Sequence, residues 1–322
     1  MTILHITNGS CAQHVMQQAG IEGEIITWDD VLHEGPVPSG LELSELSEVR
    51  AKFIAEQGWA PFDEVVNKFQ MRDKALLSFR DYDALILWFE HDLYDQLQLI
   101  QILSWLATQD IQGANIQLIC EDCYLGVITP NEMLALREKA KPVTYEQITI
   151  ATTAWQSLML PAPNQWLLLL KQDTKCLPFL EGAALRLLQE YPHCNTGLSL
   201  TQFYALKSIQ DHPKSPNEIF STYQQNEERR FMGDSTFWGY LAQMIYCELP
   251  LIKLVDEKQR LMLTHSSSQQ LDITDEGKRV LSGEIHWSGL SSIDRWIGGV
   301  HLTPDNLWCW DENSLTINKM KI

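Results

Sequence analysis

Leu85-Ile86-Leu87-Trp88-Phe89-Glu90-His91-Asp92-Leu93-Tyr94-Asp95-Gln96 reads as a strand running directly into a helix. Leu85 to Phe89 is apolar and does not alternate, as expected of a strand covered on both faces. Asp92 is a good N-cap, and Leu93, Leu97, Ile100 and Leu103 continue as a helical stripe. Glu90, His91 and Asp92 then fall at the carboxyl end of a parallel strand, where open α/β sheets bind ligands.

Working outward, three more strands are expected at Thr2–Thr7, Glu24–Trp28 and Asn115–Cys120, with helices between them. The first βα turn is Asn8-Gly9-Ser10, whose backbone N–H groups suit an anion as well as they suit a plain tight turn. The second strand runs into Asp29 and Asp30, followed by His33-Glu34-Gly35-Pro36. The fourth ends in Glu121-Asp122. Four strands closing on polar groups at one edge of one sheet point to a converging site. Residues 41–80 form a long helical insert carrying Arg50, Lys52, Arg72, Lys74 and Arg80; each reads either as an exposed helical face or as positive charge for the site. The fold expected is α/β: an open, mostly parallel, Rossmann-like three-layer sheet with a helical insert, plus a smaller α+β winged-helix-like domain.

That second domain is expected over 197–283. Capping boxes at Ser199/Gln202 and Ser215/Glu218 start two helices, and Asp234 or Ser235 starts a third. Leu251–Val255 and Arg260–Thr264 then suggest a hairpin, followed by a strand and helix over 271–281. The third helix carries no Lys or Arg, so DNA reading is disfavoured and packing or dimerisation preferred. The remaining divisions are an α/β domain over 1–160, a helical bridge over 161–196, and a tail over 284–322 that returns to the first domain. In the tail, Gly298-Gly299 implies a close backbone approach, Arg295 suits an anionic ligand group, and His301 reads as acid, base, metal ligand or structural histidine.

The 322 residues carry a net charge of −18, concentrated in residues 1–150, where 9 Lys and Arg face 23 Asp and Glu, a balance of −14. Such a surface repels a polyphosphate backbone, so nucleic acid is not an expected partner. No signal peptide and no membrane-spanning run is visible, and seven scattered cysteines suggest reduced thiols in a cytoplasm. Cys120 and Cys123 form a lone CxxC, which lacks the second pair of a structural zinc site.

The sequence resembles a bacterial family catalogued as a domain of unknown function. The likeness rests on His5-Ile-Thr-Asn-Gly9, Trp28-x-Asp30-x-Leu-His33-Glu34-Gly35-Pro36, Trp88-Phe-Glu90-His91-Asp92-Leu-Tyr94-Asp95-Gln96, Leu177-Pro-Phe-Leu180, Gly233-Asp234 and Arg295-Trp-Ile-Gly-Gly-Val-His301. Where that family often shows Asn-Gly-Asp-Ser, this chain has Asn8-Gly9-Ser10-Cys11, one loop carboxylate fewer.

The site residues expected are His33, Glu34, Glu90, His91, Asp92 and Asp95 as catalytic groups. Asn8, Gly9, Ser10, Asp30, Tyr94, Gln96, Arg295 and His301 are expected to bind ligand. His33, His91 and Asp95 offer ligands for Mn, Zn or Fe, with His91 and Asp95 sharing a face if the helix begins at His91. The reading is an enzyme of hydrolase type acting on a small molecule, with or without a divalent metal. A non-catalytic ligand-binding regulator with a winged-helix-like interaction module, dimeric or joined to a protein partner, stands beside it. A third reading takes the polar clusters as caps and interdomain hydrogen bonds. No nucleophile elbow, Walker loop or His-Glu-x-x-His occurs.

Overall fold

The structure, a computed structural model, describes residues 2–256, 258–262, 267–287 and 293–320. The chain is mixed α/β and divides into two units, Met1–Ala184 with Trp296–Val300, and Leu185–Arg295 with His301–Ile322.

The first unit is built on five strands, β1 (Ile3–Thr7), β2 (Glu24–Thr27), β4 (Ala84–Phe89), β5 (Ile116–Cys120) and β6 (Lys141–Pro142); the short β3 (Gly35–Pro36) lies outside this sheet. The order is β2-β1-β4-β5-β6. The first four are parallel, and β6 adds an antiparallel edge. Pro142 on that edge removes a donor and so discourages further pairing.

Every residue of β4 is buried. Ile86 and Trp88 pack with Ala12, Val15 and Met16 of α1 (Ser10–Gln18) and with Met133 and Leu136 of α5 (Pro130–Arg137). The alternate residues Leu85, Leu87 and Phe89 face the opposite layer, where α4 (Leu93–Leu106) packs on α6 (Tyr145–Met159). Helix on both faces explains the unbroken apolar run of β4. The insert between β3 and β4 is a helical pair, α2 (Leu43–Glu56) and α3 (Phe62–Leu77). Helices α7 (Asn164–Leu169) and α8 (Leu180–Leu188) follow.

In the second unit, α9 (Leu200–Ser208), α10 (Pro216–Asn226) and α11 (Asp234–Ile245) precede β7 (Ile252–Leu254), β8 (Leu271–Ile273) and α12 (Asp275–Leu281). The boxes Ser199/Gln202 and Ser215/Glu218 cap α9 and α10. The hairpin expectation is corrected: β7 pairs with β8, and Arg260–Met262 is not strand, while Leu263 and Thr264 lie outside the described residues. Burial decides the pairing, since Leu271 and Ile273 are enclosed whereas Met262 is exposed.

Near the end of the chain come β9 (Arg295–Gly298), β10 (Val300–Leu302) and the antiparallel pair β11 (Leu307–Asp311) and β12 (Thr316–Met320). Strand β9 runs parallel to β3, aligning Ile297 with Gly35 and Gly298 with Pro36, and Val37 N donates to Gly298 O at 2.8 Å. The two glycines do permit a close approach, but to the end of α6. A Cβ on Gly298 would lie 2.3 Å from Leu158 O, and one on Gly299 would lie 2.1 Å from Met159 O.

Candidate active site at the carboxyl edge of the sheet

Chain order along the sheet reverses between β1 and β4, since β2 flanks β1 on one side and β5 flanks β4 on the other. A crevice forms at such a switch point, outside the carboxyl ends of the two strands. Asn8 leaves β1 there, and Glu90 leaves β4.

The turn from β4 into α4 folds three carboxylates together. The Asp92 side chain accepts from Asp95 N at 3.1 Å and caps α4. Asp95, in the first helical turn, accepts from Glu90 N at 2.7 Å through Oδ1 and from Asn8 Nδ2 at 2.9 Å through Oδ2. Glu90 Oε1 accepts from Leu125 N at 2.7 Å. Glu90, Asp92 and Asp95 are all buried, and each offers an oxygen within 4.8 Å of the others. Gln96 donates from Nε2 to Glu90 O at 2.7 Å, and its buried Oε1 accepts no hydrogen bond among the described residues.

Burial dominates the electrostatics of Glu90 and Asp95. Burial, then the charges of Asp92 and Glu90, push the Asp95 pKa well above the usual carboxylate range. Burial also raises Glu90, against the lowering effect of the Leu125 N–H. No Lys or Arg forms an ion pair with Glu90 or Asp95 among the described residues. Buried carboxylates so placed either retain protons or surround a cation.

The imidazoles do not join this group. Among the described residues the group whose ligand atoms all lie within 4.8 Å of one another is Glu90, Asp92 and Asp95, which shares only Asp95 with the expected set His33, His91 and Asp95. The reason is the helix start: α4 begins at Leu93 with Asp92 as cap, so His91 precedes the helix and shares no face with Asp95. His91 Nε2 lies 3.5 Å from Asp122 Oδ1, and its ring packs against Tyr124 and Phe179. His33 stands edge-on to Tyr94, ring centroids 6.3 Å apart. The Tyr94 phenol is kept protonated by burial and by the neighbouring charges of Asp29, Asp95 and Asp30.

Asp30 is held by two arginines of the insert. Wholly buried, it sits 3.0 Å from Arg50 Nε and 3.6 Å from Arg72 Nη2. Arg50 also donates to the carbonyls of Val31, Glu34 and Pro36, and Arg72 donates to that of Trp28. Two arginines of the insert thus clamp the loop that carries His33 and Glu34. They are neither an exposed face nor free positive charge, which corrects the expectation for both. Glu34 itself is buried. Their positions held the signal: Arg50 falls between Leu46 and Ile54 on the apolar stripe of α2, and Arg72 beside Phe69 and Leu76 on that of α3.

Gly9 caps α1 with no side-chain bond, and Ser10 is exposed. A Cβ at Gly9 would lie 3.1 Å from Asp29 Oδ1. That carboxylate, paired with Lys68 at 2.7 Å, stands close to the loop and disfavours an anion there. Arg295 and His301 belong to the second unit. Arg295 donates to Glu190 Oε2 at 3.2 Å and to the Tyr240 hydroxyl, and His301 pairs with Asp294 at 2.6 Å. Cys120 was not singled out as a site residue, yet its thiol lies 3.3 Å from Gln96 Nε2 and 3.7 Å from Glu90 O.

No family model matches the chain, and no curated protein matches it significantly in sequence. No helix among the described residues is long and apolar enough to cross a membrane.

Proposed function

We propose that the protein is an enzyme in which Glu90, Asp92 and Asp95 hold a divalent cation that activates water to hydrolyse a small-molecule substrate. The observation that carries this reading is three buried carboxylates converging at the switch point, with no basic side chain paired to Glu90 or Asp95 among the described residues. An all-oxygen donor set suits Mn2+ or Mg2+ better than Zn2+ or Fe2+. The unpartnered Gln96 amide oxygen supports the same chemistry, being a further hard donor beside Glu90. Asn8 fixes the orientation of Asp95, and the protonated Tyr94 phenol is available as a hydrogen-bond donor. A bound cation supplies a water of lowered pKa; the chain's own groups orient it and exclude bulk solvent.

Helices α9 to α11 followed by the antiparallel β7–β8 pair fit a winged-helix-like module for a protein partner, and α11 without Lys or Arg speaks against DNA. Seven cysteines, all free thiols, fit a cytoplasmic setting.

The test uses protein purified without chelator, titrated calorimetrically with Mn2+ and Mg2+, then assayed for metal-dependent hydrolysis of p-nitrophenyl phosphate and p-nitrophenyl acetate. Glu90→Gln and Asp95→Asn should lose binding and turnover. Asp95→Asn should also stabilise the fold by on the order of 1 kcal/mol near neutral pH, as functional-site charges often cost stability. The sign follows from the raised pKa of Asp95: the folded-state penalty is complete above that pKa and fades as pH falls towards the unfolded value, so the variant's advantage shrinks on acidification. Metal binding without turnover would instead define a regulator. No metal binding, with Asp95→Asn destabilised, would overturn the site.

A further inference from the structure

The helical insert carries a second concave surface. Helices α2 and α3 leave a groove of about 480 Å³ between them, floored by Val66 and Phe69 and flanked by Phe62 and Leu77. Phe62 is 42% exposed and Leu77 60% exposed, although each is large and apolar. The acidic groups are Glu45 and Glu48 on α2 and Asp73 on α3, against one basic lining residue, Lys74. Glu48 forms no ion pair among the described residues. The Asp73 carboxyl is nearly enclosed at the base, where Arg72 Nε donates to it at 3.2 Å.

We propose that this groove docks an amphipathic helix of a partner protein, one bearing an apolar stripe flanked by Lys or Arg. A trough between two helices accepts a third helix by its apolar face, with anchors spaced at helical intervals. Charge selects the occupant. A second copy of this chain, at net charge −18, would bring like-charged surfaces together, whereas a basic helix meets Glu45 and Glu48 with opposite charge. The groove also adjoins the loop clamp, since Ser47 and Asp73 both line it and both contact Arg72.

The test uses the full chain and a fluorescein-labelled helical peptide of Leu and Lys, with a Leu/Glu peptide of the same pattern as control. Anisotropy at low and raised salt is read for the wild type, Leu77→Glu and Glu48→Lys, with hydrogen exchange on the complex. The wild type should bind only the Leu/Lys peptide, more weakly in salt, and protect α2 and α3. Each substitution, both at exposed positions, should weaken binding by about tenfold or more, equivalent to about 1.4 kcal/mol. Equal binding of both peptides, binding unaffected by either substitution, or protection elsewhere would overturn the proposal. So would self-association in sedimentation that Leu77→Glu abolishes, because the occupant would then be a second copy.

Discussion

His5 shows how one buried side chain sets a pH limit on the fold. Its ring is fully enclosed in β1, with Nδ1 accepting from Trp88 Nε1 at 3.0 Å and Nε2 facing Glu22 O at 3.1 Å. That pair of bonds assigns the proton to Nε2, so the neutral ring satisfies both neighbours. Burial, the largest cause, lowers its pKa from 6.5 to about 4. A depressed folded-state pKa means the unfolded chain takes the proton first. The contribution is therefore complete above about pH 6.5 and is lost as pH falls towards 4. His5→Gln keeps an acceptor and a donor without the charge. Urea unfolding at several pH values should show its stability relative to wild type flat near pH 7, then rising in the variant's favour by up to roughly 3 kcal/mol near pH 4. A constant difference across that range would show that His5 is not titrating in this way. Asp95 works in the opposite sense, since its raised pKa makes acid favour the folded state.

Among the elements, the insert α2–α3 acts through its two inward arginines. Arg50 and Arg72 share Asp30, and Arg72 also lies over the Trp28 and Phe69 rings at 4.4 and 3.6 Å. Removing one partner from such a group leaves buried charge uncompensated, which costs about 3–5 kcal/mol. Asp30→Asn should destabilise the protein by that order in chemical denaturation, whereas Asp95→Asn should not. The contrast separates the carboxylate that holds the fold from the one assigned to the site. An Asp30→Asn variant as stable as wild type would remove the clamp from the account of the loop. Sequence pattern sufficed for α9 and α10, whose boxes Ser199/Gln202 and Ser215/Glu218 start them as expected, because a cap is satisfied within one turn.

Across the whole molecule, the first unit is not a continuous stretch of chain. Residues 296–300 complete it, and β9 supplies the partner of Gly35 and Pro36. Gly299 N also donates to Leu158 O at 2.7 Å, which ties this segment to the end of α6. A chain ending at residue 294 should therefore lose amide protection at Val37, whose N–H bonds to Gly298 O, in addition to losing β10–β12. Hydrogen exchange resolved at residues 35–37 reads this directly; unchanged protection there would show that the loop holds its shape without β9.

The four parallel strands of the first unit, the fully buried β4, the Asp92 cap and the polar ends of the strands were legible in the sequence, whereas the short β3 and β6 were not. The legible features depend on periodicity and capping within a few residues, so local order is enough to specify them. Convergence of Glu90, Asp92 and Asp95 was half legible, because all three lie in one turn, but the exclusion of His91 depended on the helix starting at Leu93. Asn8 meeting Asp95, Arg50 and Arg72 closing on Asp30, and β9 pairing with β3 join residues far apart in the chain. Those were decided by the tertiary structure alone. Strand order and helix packing determine which distant side chains share an enclosed, low-dielectric space, and only there do a charge's partners become fixed.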